Sequence, residues 1–103
     1  MSNFPIVNIN GDSVETLLGQ YFAVLKAAQE LRNKMAHASP HGRNYQLQTD
    51  GTLYGARTEW LELMVKAKEI ENWAEAHVTD LMRQAHQRMS SQKVGEIALR
   101  VMR

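Results

Sequence analysis

Pro40-His41-Gly42-Arg43-Asn44-Tyr45 gathers an imidazole, a guanidinium, a carboxamide and a phenol into six consecutive positions. The chemistry those side chains support is anion binding. A guanidinium fork and an imidazole donate hydrogen bonds to an oxyanion, and Gly42 lets the backbone approach closely. Arg57 follows about one turn inside the next helical pattern, whose N-terminal N–H groups add partial positive charge. Tyr45 or Tyr54 would then stack on a base or sugar. His41, Arg43, Tyr45 and Arg57 are therefore the candidate ligand-binding residues. The same side chains also suit a purely structural task, in which Arg43, Asn44 and Tyr45 satisfy orphan carbonyls at the helix ends.

Other chemistries find less in the chain. His37 and His41 are separated by Pro40, which ends the helix that would align them as metal ligands. His77 and His86 fall on opposite sides of one helix. Helical di-iron sites use Glu-x-x-His, and no glutamate has a histidine three residues on. Glu59 with Glu62, and Glu71 with Glu75, are same-face carboxylate pairs of the kind found on solvated helices, and Glu62 with Lys66 reads as an i,i+4 ion pair. The nucleophile elbow, the phosphate-binding glycine loop and the dinucleotide fingerprint are all missing. The expectation is a non-enzymatic protein with no catalytic residue, no metal and no cofactor.

The elements that position the loop are helical. Phe4 to Gly11 reads as an extended arm, with Pro5 confining it to an edge or lead-in. Asp12 and Glu15 form a capping-box variant. Val14, Leu17, Leu18, Tyr21, Leu25, Ala28, Leu31 and Met35 then recur at helical spacing over residues 13–37, with Arg32, Lys34 and His37 near the end as the helix dipole prefers. Pro40 stops this helix. Thr49, Asp50, Gly51 and Thr52 supply caps for a second helix over 52–89. Its stripe of Leu53, Ala56, Trp60, Met64, Ala67, Ile70, Ala74, Val78, Leu81 and Ala85 is close to a heptad seam. Ser90-Ser91 break or recap the chain. Val94, Ile97, Ala98, Val101 and Met102 fit a short helix over 93–102, although Ile97, Leu99 and Val101 also alternate.

The reading is thus an all-α antiparallel hairpin forming one domain over residues 1–103, completed by oligomerisation. At 1.5 Å per residue the first helix is roughly 37 Å and the second roughly 57 Å, so a flush hairpin covers the second helix only to about His77. Val78, Leu81, Met82, Ala85 and Met89 then need cover from the arm, the C-terminal helix or a second copy. Trp60 sits on the seam as core. Trp73 sits off it, as a rim residue at a subunit interface or as a partner-binding anchor. Trp60, Trp73, Val78, Leu81 and Met82 are the candidate interface residues.

Composition limits the partners. The chain has 103 residues, a net charge of +1 and no cysteine. A disulfide, a thiolate zinc site and thiol catalysis are excluded. So small a charge does not drive bulk nucleic-acid binding, although Arg83, Arg88, Lys93, Arg100 and Arg103 face Glu96 alone in the tail. No secretory signal or membrane-length apolar run is present, which points to the cytoplasm.

Pro40-His41-Gly42-Arg43-Asn44-Tyr45, followed by Arg57-Thr58-Glu59-Trp60-Leu61, resembles a segment of small bacteriophage and prophage proteins that carry Pro-His-Gly-Arg-Asp-Tyr between two amphipathic helices. The likeness covers roughly residues 25–80, and Asn44 replaces the usual acid. It implies phage origin, an all-helical hairpin and the cytoplasm of an infected host, and it lends no catalytic residue. The expected function is a phage accessory protein that binds a host partner or sequesters a phosphate-containing ligand, counteracting host defence. The alternative is a structural or DNA-packaging accessory using oligomeric helices and the basic tail.

Overall fold

A computed structural model describes residues 4–6, 11–41 and 51–103, with the side chains of 11–13 excepted. It is all-helical among these residues. Helix α1 spans Gly11–His37, α2 spans Thr52–Arg88 and α3 spans Ser91–Val101. The helices α1 and α2 form the antiparallel hairpin expected, and α3 packs on both. The described residues make a thin rod with extents of 63 × 31 × 16 Å. No helix among them is long and apolar enough to cross a membrane.

The helix ends follow local chemistry. Lys34 and His37 lie in the last turn of α1, where the His37 Nδ1–H donates to the Asn33 carbonyl at 2.8 Å. The N-cap of α2 is Gly51, at φ +79°, and it makes no side-chain cap. That left-handed conformation explains glycine at this position. Thr49 and Asp50, the other expected caps, lie outside the described residues, as does the Asp12 side chain. Ser90 recaps the chain, its Oγ accepting the Lys93 N–H at 3.2 Å. Val94 and Ile97 are buried while Leu99 is 69 % exposed, a helical periodicity that settles the alternating reading of this segment.

The register corrects the flush hairpin. The Trp60 indole N–H donates to the Met35 carbonyl at 2.9 Å, so the end of α1 lies beside Trp60 and not beside Thr52. The first turns of α2 project beyond α1, and the start of α1 reaches the far end of α2. Val78, Leu81 and Ala85 therefore share one core cluster with Val14, Leu18, Leu25 and Ala74, closed by Val94 and Ile97 of α3. Met82 and Met89 pack against the same cluster. Val78 and Leu81, expected at an interface between chains, are buried within one, at 8 % and 0 % exposure.

The seam also departs from expectation at one place. Ile70 is 48 % exposed and Glu71 is 4 % exposed. The alternation of fours and threes that runs Met64, Ala67, Glu71, Ala74, Val78 passes through the carboxylate, so Ile70 falls one flank away. Leu31, expected on the α1 stripe, is likewise 47 % exposed, while its neighbour Arg32 turns inward.

Candidate functional site

Of the four residues expected to hold an anion, His41 and Arg57 come together. They line a depression of about 360 Å3 with Ser39, Pro40, Trp60 and Leu61. Arg43 and Tyr45 lie outside the described residues. The helix ends at His37, and Ser39, Pro40 and His41 continue beside the early turns of α2, which brings His41 to Arg57. Trp60 forms one wall and is half-buried, its indole tied to Met35. This bond ties Trp60 into the chain's own packing. Both His41 and Arg57 are exposed, so a guanidinium and an imidazole border an indole wall in water. Such a depression suits an anionic group joined to something flat or apolar.

Two other clusters explain where the remaining polar side chains go. Glu71 sits in the α1–α2 seam between two cations. The Lys68 Nζ donates to its Oε1 at 2.7 Å, and the Arg32 guanidinium donates to both carboxylate oxygens, to Oε2 at 2.7 Å. Lys68 first and Arg32 second hold this carboxyl below the usual range, against the opposing effect of burial. At the far end Glu15 meets Arg100 in a two-pronged pair, each bond 2.8 Å, which lowers the Glu15 pKa. Asp80 accepts from Gln84 at 2.8 Å and from Arg83 at 2.8 and 3.1 Å, and these donors, Gln84 foremost, lower its pKa. Arg83 and Arg100 are thus engaged with carboxylates, which leaves less of the basic tail for nucleic acid. No group of three or more metal-ligating side chains occurs among the described residues.

The arm docks through an aromatic cluster that the sequence did not announce. Phe4 meets the His77 ring edge-on at 4.7 Å. Tyr21 stacks on the same ring at 4.4 Å and 20°, and Trp73 tilts against it at 4.4 Å. The His77 Nδ1–H donates to the Trp73 carbonyl at 2.9 Å. Gln84, besides binding Asp80, donates to the Pro5 carbonyl at 2.8 Å. His77 is buried, so it serves the core. The helical spacing of Tyr21 on one helix with Trp73 and His77 on the other was the available signal, but nothing local tied Phe4 to them.

On the same flank, nearer the loop, lies a second depression of about 300 Å3, lined by Leu31, Met35, Leu63, Lys66, Ala67 and Ile70. Its exposed lining is apolar, with Lys66 contributing its aliphatic stem. Leu31, Leu63 and Ile70 are each close to half exposed, and Trp73 at its end is 49 % exposed. The expected Glu62–Lys66 pair is not formed among the ion pairs of the described residues.

No protein-family model, no curated protein and no solved structure significantly matches the chain.

Proposed function

We propose that this chain is a non-enzymatic phage accessory protein that binds a phosphate-bearing ligand, or a host partner presenting such a group, at the loop end of its hairpin. The supporting observation is the convergence of His41 and Arg57, from separate elements, on one indole-walled depression. Arg57 supplies the permanent charge and the fork that suits phosphate, His41 a second donor, and Trp60 a flat surface for the attached group. The phage origin rests on the likeness of the Pro40–Tyr45 segment alone.

The experiment is native mass spectrometry of protein recovered from infected cells, beside titration with inorganic phosphate and mononucleotides. A bound phosphate-bearing species is expected on the wild-type chain. Arg57→Ala, at an exposed position, should keep full helicity and weaken binding by about tenfold or more, the loss of one charge-assisted contact. Unchanged binding in a folded Arg57→Ala chain would overturn the site.

A further inference from the structure

We infer that the apolar depression between Leu31, Met35, Leu63, Ala67 and Ile70 is the seat of a second copy of this chain, docked face to face so that two hairpins make a four-helix dimer. The depression sits mid-rod on one flank. On the opposite flank the matching positions are taken by the Arg32–Glu71–Lys68 ion cluster. Beyond the depression, towards the far end, its own flank carries the Tyr21, Trp73 and His77 cluster, with Phe4 of the arm packed on His77. Among the described residues, the apolar surface left uncovered on this flank runs from Val24 to Met35 on α1 and from Leu63 to Trp73 on α2. That strip is about 16 Å long and two helices wide, on the order of 500 Å2 of accessible surface. It lies at the low end for a specific pair of proteins, so a weak dimer is expected.

Two features select a second copy as the occupant. The first is shape. The strip is both hole and knob: Ala67, 3 % exposed, floors the depression, and Trp73 projects at its end. An antiparallel crossing of two α2 helices centred near residue 68 brings Trp73 of each onto Leu63 of the other. The second feature is charge. Glu62, Lys66 and Glu69 border the strip, are exposed, and take part in none of the ion pairs among the described residues. In the same crossing Lys66 of each copy comes beside Glu69 of the other, so one register satisfies both requirements. Two sheets of helices then replace a rod only 16 Å thick, which is the four-helix solution to a half-covered hairpin.

Sedimentation equilibrium tests this on the full chain. The wild type is expected to pass from monomer to dimer as concentration rises through roughly the tens to hundreds of micromolar, the weak regime of a small interface. Ile70→Lys should raise the dissociation constant at least about tenfold with the circular dichroism of the helices unchanged. Lys66→Glu, at an exposed position that folding does not need, should weaken association, and the Lys66→Glu/Glu69→Lys double variant should restore it. A wild-type chain that stays monomeric to about 0.5 mM overturns the proposal and leaves the strip to a different protein's helix. So does a dimer whose dissociation constant is the same in Ile70→Lys and Lys66→Glu chains of wild-type helicity.

Discussion

The two ends of the rod are built differently. Towards the far end, α2 buries Ala67, Glu71, Ala74, His77, Val78, Leu81, Gln84 and Ala85, and α1 buries Val14, Leu18, Leu25 and Ala28. Towards the loop, no described residue of α2 before Ala67 is buried, and none of α1 after Ala28. The far end has three layers because α3 and the arm close over the pair of helices, while among the described residues the loop end has only the pair. A two-helix layer cannot remove both of its flanks from water. The better-buried half of the molecule is therefore the far end, and the more exposed half carries both the anion depression and the apolar strip.

The sharpest way to break this comparison is to remove core volume at the far end. Leu81→Ala empties a fully buried position and should cost about 2–5 kcal/mol in denaturant unfolding. A loss well below that range would mean that the far end is not the core. At the loop end Trp60→Phe keeps the ring and removes the N–H that holds Met35. The expected cost is about 1 kcal/mol, with hydrogen exchange quickening near residues 52–60 and unchanged near residues 74–85. Equal quickening in both places would show one cooperative unit instead of two unequal halves.

Acid provides the gentlest perturbation. Glu15, Glu71 and Asp80 all have pKa values lowered in the folded chain. A lowered folded pKa contributes stability above the unfolded value and loses it as pH falls through the folded one. Through these three groups, stability should decline as pH falls below the ordinary glutamate value of 4.5. Because Glu15 ties α3 to α1, Glu15→Gln should remove part of that decline, which a denaturant series between pH 7 and pH 3 reads directly.

The helices were legible in the sequence because their signals are local. Val14 to Met35 and Ala67 to Ala85 carry the period, Ser90 the cap and Pro40 the stop. The register was not legible, since it depends on which turn of α2 meets the end of α1, and the Trp60–Met35 bond that marks it joins residues in different helices. Ile70 and Glu71 show the same limit at one position. Hydropathy places the isoleucine inside, whereas the helical repeat turns the carboxylate inward, where two cations stabilise it. Glu15 carried a local signal for capping, yet its partner is Arg100, 85 positions away. For the candidate site, the pairing of His41 with Arg57 was readable from the stop at Pro40 and the restart near Thr52. The apolar strip was not, because Leu31 and Ile70, expected on the stripes, are turned out to its flank.

The far end also gathers the first described residues of the arm and the end of α3. Pro5 is moored to Gln84, and Arg100 to Glu15. A short linker could therefore join residues near Phe4 to those near Arg103 without crossing the loop end. New termini opened between His41 and Gly51 would then yield a circular permutant with its core connections intact. In such a molecule the hairpin turn is no longer a covalent necessity, and whatever binding it retains would belong to His41 and Arg57 as surface chemistry alone.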